Sequence, residues 1–298
     1  MRSRVTTAGN SPVWFEVKAV LSRLLGALLR AALVVVVVAT PSLLIPGTTE
    51  EGAQVVTLVA LALGLFIAVE YGATYPALIE FRDAPPFNRV RILTLLVVLL
   101  CLSSVAGAAD PTSSLVLVLN ALGLLIGHAL DFPWSPVAVV LGHLPADAPP
   151  VSELQVKAMS GLAILITLVA LVIFTLLLKM QHWPNRGQAF NVWINLPTFD
   201  PTTGGDVVNR LMRDASVNLI LGLCTTFILP VVGMVGARHL GLELLTSPHA
   251  MVWGIALWMF LPLSMVMRGL AMARIAEMIR DRRARLVASV VSDAPQAA

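Results

Sequence analysis

Long apolar runs separated by short polar turns make up most of this chain. They cover 31–45, 53–77, 92–109, 115–144, 158–178, 217–237 and 250–267. A membrane-crossing helix needs about 20 apolar residues at about 1.5 Å of rise each, so these runs predict transmembrane α-helices. Ahead of the first run, residues 13–30 mix Trp14, Phe15, Leu21 and Leu25 with Lys18, Arg23 and Arg30. That pattern predicts an amphipathic helix lying in the membrane interface. After the last run, a basic helical tail is expected over 268–290, and a disordered tail over 291–298.

One run does not fit the simple scheme. Residues 115–144 are interrupted by Asp131-Phe132-Pro133-Trp134-Ser135-Pro136. The stretch is too long for one crossing and too short for two, which need about 40 residues. Charge arbitrates, because basic residues concentrate on the cytoplasmic side. If 115–144 crosses once, the twenty bases divide evenly between the two sides. If it enters and leaves on one side, eighteen fall inside and only Lys157 and Arg238 fall outside. The reading is therefore an all-α polytopic membrane protein. It has six transmembrane helices and a re-entrant or short helical hairpin at 115–144, with both termini cytoplasmic. The longest loop, 179–216, is then cytoplasmic and too short for a core of its own. Residues 1–290 form a single helical membrane domain.

Composition agrees. Hydrophobic residues are 57% and charged residues 12% of the 298, against about 25% charged in soluble domains. A soluble globular protein is excluded. Arginine outnumbers lysine seventeen to three, which suggests a GC-rich bacterial genome and a bacterial cytoplasmic (inner) membrane location. The N-terminus lacks a small-residue cleavage pattern, so no cleaved signal peptide is expected. Cys101 and Cys224 each sit in an apolar run and read as packing residues.

Candidate chemistry is sparse. No HExxH, CxxC, GxSxG or Walker pattern occurs, so no cofactor, metal site or catalytic residue is expected. Ionisable groups at membrane depth are costly and often functional. Asp131, His128 and Glu70 are therefore the candidates for an ion or proton site. Asp131 or Ser135 can equally cap a helix restarted at the prolines. Ala60, Gly64, Ala68 and Gly72 recur every fourth residue and predict a helix-packing face, with Gly123 and Gly127 a shorter case. In the long loop, Trp183, Phe190, Trp193 and Phe199 alternate with polar residues. A turn and N-cap at 202–206 precede a short membrane-surface helix with Arg210 and Arg213. With Arg280, Arg282 and Arg283 of the tail, these are the expected contacts to a partner or to lipid.

Three functions follow as expectations. The first is a non-catalytic membrane subunit or scaffold that docks a protein partner through the loop and basic tail. The second is a transporter or channel component using Asp131 and Glu70. The third is an intramembrane enzyme using His128, Asp131 and His143. The expected partners are the bilayer and other proteins, not nucleic acid, because Glu277 and Asp281 interleave with the tail's arginines.

Overall fold

A computed structural model describes residues 13–75, 77–83, 85–107, 113–144, 150–180, 183, 191, 195–200, 202, 204–241 and 247–293. All regular elements among them are helical: α1 (Val13–Leu44), α2 (Glu50–Gly72), α3 (Phe87–Ala106), α4 (Ser114–Ala129), α5 (Pro136–Leu141), α6 (Pro150–Met180), α7 (Val207–His239) and α8 (Pro248–Asp293). Six of these, α1 to α3 and α6 to α8, are long and apolar enough to cross a membrane. At 16 residues, α4 extends about 24 Å and falls short of a hydrocarbon core about 30 Å thick.

Burial shows what solvent the surface is built for. On α2, Leu58, Leu61 and Leu65 are exposed while Ala60 and Gly64 are buried. Soluble helices hide leucine and show small or polar residues. The inversion suits hydrocarbon, where large side chains gain nothing by hiding and small ones let backbones approach. The stripe faces α1: a Cβ on Gly64 would meet Val35 at 2.8 Å, and one on Gly72 would reach Leu24 at 4.0 Å. Ala60 and Gly64 are buried, whereas Ala68 and Gly72 are half-covered. Gly123 and Gly127 of α4 meet the backbone of Ala158 and Lys157 on α6, and Gly161 answers from the other side.

Three helix pairs result, α1 with α2, α4 with α6 and α7 with α8, and α3 packs against α1, α6 and α8. Two apolar clusters lie toward opposite ends. One gathers Val37 and Ile45 of α1, Val98 to Val105 of α3, Val137 and Val140 of α5, Val156 to Ile164 of α6 and Met251 to Met259 of α8. The other gathers Phe81, Phe87, Phe174, Leu178, Trp183, Leu196, Phe199, the start of α7 and residues 263–276 of α8. The end of α3 and the beginning of α6 thus share one cluster, while Phe87 at the start of α3 meets Phe174 late in α6, ring centres 6.0 Å apart. The two helices run in opposite directions.

Several boundaries differ from the sequence reading. The amphipathic stretch and the first span form one unbroken helix, because no residue between Val13 and Ile45 supplies a stop and Pro41 falls in the last turn. The expected surface helix around Arg210 is the first part of α7, capped by Asp206, whose side chain accepts from the Asn209 amide. Both α7 and α8 continue through internal prolines, Pro230 and Pro262. A proline frees the carbonyl four residues before it. At Pro230 that carbonyl belongs to Thr226, and it accepts from the Trp258 indole N–H at 2.8 Å. The neighbouring helix therefore supplies the bond the proline removed.

Candidate functional site

The residues singled out by sequence go to separate places. Glu70 is buried in the last turn of α2. Its Oε2 accepts from the amides of Ala77, Leu78 and Ile79 at 3.1 Å each. Arg82 closes the same turn from the opposite side, donating to the carbonyls of Ala73 at 2.6 Å and Glu70 at 3.2 Å. Asp131 meets the Lys157 ammonium at 2.8 Å, and Glu153 stands 3.6 Å from that same nitrogen. His128 is exposed, and His143 Nδ1 contacts the Val139 carbonyl at 2.7 Å. Ser135, not Asp131, caps the restarted helix, accepting from the Ala138 amide at 2.9 Å. Glu70 and Asp131 have different partners on different elements and form no common site.

Among the loop residues expected to face a partner, Trp183 and Phe199 are core residues of the second cluster. Phe81 lies 5.8 Å from the Trp183 ring and 4.5 Å from Phe87. Arg210 stacks on Phe199 at 4.8 Å and donates to the Asp200 carbonyl at 2.8 Å. Phe190 and Trp193 lie outside the described residues. Arg213, Arg280 and Arg282 are exposed, and Arg283 pairs with Asp206 at 2.6 Å.

A different site stands out: a cavity of about 1000 Å³ between the α1–α2 pair and the α7–α8 pair, with the first turns of α3 contributing to its wall. Each helix contributes in order. On α1, Arg30 comes before Leu33 and Val34; on α2, Phe66 and Ile67 come before Tyr71; on α8, Phe260 and Leu261 come before Arg268. With α1 and α2 antiparallel, and α3 opposite in direction to the second half of α8, these orders agree. The polar lining gathers at the end marked by Phe87, and the apolar lining extends away from it.

Four arginines stand at the polar end, beside Tyr71, Glu80, Asn88 and Ser264. Arg268 grips Glu80 with two bonds, Nε to Oε2 at 2.5 Å and Nη2 to Oε1 at 2.8 Å. Such paired geometry is the strong form of the contact. Arg91 has no ion pair among the described residues, and Glu80 acts on it only from a distance: its Nε donates to Ser264 Oγ at 3.1 Å and its Nη1 to Asn88 Oδ1 at 3.4 Å, and its guanidinium lies 5.2 Å from the Phe87 ring centre and 5.5 Å from that of Phe260. Arg30 lies 4.6 Å above the Tyr71 ring and donates to the Gly26 carbonyl at 2.7 Å. Arg89 also lines the cavity. The segment 77–83 forms part of the wall, and it is pinned by Glu70, by Arg82 and by Asn195, whose carbonyl accepts from the Phe81 amide at 2.7 Å. Phe81 adopts φ +52° there, a left-handed conformation that few bulky residues take without support from their surroundings.

In the sequence, Arg30, Arg89, Arg91 and Arg268 count among the eighteen bases that set the topology. Nothing in their spacing shows that four distant segments bring them to one hollow. Among the described residues no group of three or more histidine, cysteine or acidic side chains could hold a metal ion. Comparison with protein-family models, curated proteins and solved structures finds no match.

Proposed function

We propose that this chain is a non-catalytic integral membrane subunit or scaffold of a bacterial inner-membrane assembly, and that it docks an acidic protein partner through the projecting end of α8. The observation that carries this reading is the exposure of that helix. From 280 to 289 every side chain is exposed, a length of about 15 Å. Arg280, Arg282 and Arg285 share this segment with Leu286 and Val287, exposed by 60% and 64%. Arginine and aliphatic side chains together suit an acidic protein surface with an apolar centre. The burial of Trp183 and Phe199 moves the docking surface away from the loop and onto this tail.

The topology that puts the tail in the cytoplasm draws support from the two clusters. Since α3 ends and α6 begins within one cluster, the segment between them starts and finishes at the same end of the bundle. Six crossings then return the chain to the side where it began, and the positive-inside distribution makes that side cytoplasmic. The transport reading based on Asp131 and Glu70 gains less support, since Lys157 holds one carboxylate and three backbone amides hold the other.

Purification in mild detergent tests the docking proposal. Wild-type protein is expected to carry a stoichiometric partner, which the combined substitution R280E/R282E/L286E releases. A monodisperse wild-type protein without a stoichiometric companion overturns it.

A further inference from the structure

We propose that the cavity between α1–α2 and α7–α8 is a binding site for one amphipathic anion taken from the bilayer, a lipid-type molecule with a phosphate-class headgroup. Three observations converge on this ligand.

The first is an uncompensated charge. Four arginines line the cavity and one carboxylate does. That carboxylate, Glu80, is committed to Arg268 by its two-bond grip. Among the described residues no ion pair joins a carboxylate to Arg30, Arg89 or Arg91. Arginine near hydrocarbon is costly without an anion or water to receive its donors. Arg91 is held in place by Ser264 and two aromatic rings, contacts that orient a guanidinium without neutralising it. An oxyanion bound there gains charge-assisted hydrogen bonds from planar, preset donors, for which phosphate geometry is well matched.

The second is polarity along the cavity. The arginines occupy one end, and Leu33, Val34, Ile67, Leu229 and Leu261 line the rest. A free inorganic anion would use the first part and leave the second empty. At about 1000 Å³ the space is at the top of the usual range for small-molecule pockets, about 300–1,000 Å³. A head with a hydrocarbon chain matches both size and polarity.

The third is position. The polar end lies beside the turn 77–83 and the first turn of α3, next to the cluster that marks the basic end of the molecule. The body of the cavity lies between helices long enough to cross a bilayer. A lipid can therefore enter sideways, between the two helix pairs, with its headgroup already at the level of Arg30 and Arg91.

Native mass spectrometry of the full chain tests this directly. Dioleoylphosphatidylglycerol and dioleoylphosphatidylcholine are supplied together at equal concentration. Wild-type protein is expected to retain one phosphatidylglycerol, preferred by about tenfold or more, as charge-assisted bonds to two arginines imply. R30Q/R91Q is expected to bring the two lipids to near parity. Ile67→Trp fills the apolar arm and leaves every charge in place; it is expected to reduce retention of both lipids, and it decides the matter if the double variant does not fold. R280Q/R282Q/R285Q, on the projecting tail, is expected to leave the preference unchanged. Equal retention by wild-type protein overturns the proposal. So does a preference that survives R30Q/R91Q, or one lost in the tail variant, which would place lipid on the basic surface instead. Inorganic phosphate is the last arm: displacement of the bound lipid by millimolar phosphate would show a site for the anion alone.

Discussion

Glu70 shows how one side chain can organise a turn. A carboxylate at the end of an apolar helix is costly unless its lone pairs are used. Here the 77–79 amides, which would otherwise lack partners between helices, use them. Arg82 does the converse for the last carbonyls of α2. Glu70→Ala leaves three amides without their acceptor. It is expected to cost about 2–4 kcal/mol, given about 1–3 kcal/mol for one buried unsatisfied group and partial recovery of others by water. Glu70→Gln keeps one acceptor oxygen and should lose roughly half as much. Thermal unfolding in detergent measures both. Wild-type stability in Glu70→Ala would free this carboxylate from its structural role and return it to the ion-site candidates. The sequence marks Glu70 as unusual, but its partners lie seven to nine residues on, in a turn with no regular period to reveal them.

Two packing regimes operate among the helices. Between α4 and α6 the glycines Gly123, Gly127 and Gly161 face backbone, which cannot move aside. Gly161→Ala is expected to push the pair apart and cost about 1–3 kcal/mol, the range for overpacked cores. Gly233, in the second half of α7, meets nothing within 4 Å. Gly233→Ala should be neutral or gain up to about 1 kcal/mol from helix propensity. Comparing the two melting temperatures checks the assignment, and equal effects would refute it. The clasp between the tail and α7 has its own signature. The hydrogen bond from Arg283 holds the Asp206 carboxyl below the usual carboxylate range, opposed by desolvation and helped by the Asn209 amide. A carboxyl lowered by folding contributes stability in full above its unfolded value, about 3.9, and loses it as pH falls through the lowered one. A spin label at Val287→Cys should therefore show constant mobility from pH 7 to pH 5 and rising mobility below about pH 4. Arg283→Gln should show the mobile spectrum throughout. A label that loosens between pH 7 and pH 5 would place the switch elsewhere.

The proposed six-crossing arrangement makes a prediction for the whole molecule. Cysteines introduced at Glu50 and Gly204, in a chain with Cys101 and Cys224 replaced, should react with impermeant reagents from opposite sides of the membrane, Gly204 from the cytoplasm. Labelling of both from one side would remove the re-entrant assignment at 115–144. The cavity also belongs to this scale. It needs α1, α2, α3, α7 and α8 together, and no pair of them encloses it.

Sequence by itself determined the membrane class, the six long apolar helices, the small-residue stripe on α2 and the cap at Asp206. Each follows from local composition or from a period of about 3.6 residues, which a chain displays before it folds. Tertiary structure alone decided that residues 13–44 form one helix, that Trp183 and Phe199 are core, and that Glu70 holds a turn while Asp131 meets Lys157. It also decided that Arg30, Arg89, Arg91 and Arg268 surround one hollow. Those outcomes depend on which helix faces which, across separations as long as the 238 residues from Arg30 to Arg268. In a lipid solvent that choice rests on close backbone approach and on pairing of buried polar groups, and neither leaves a periodic trace in the chain.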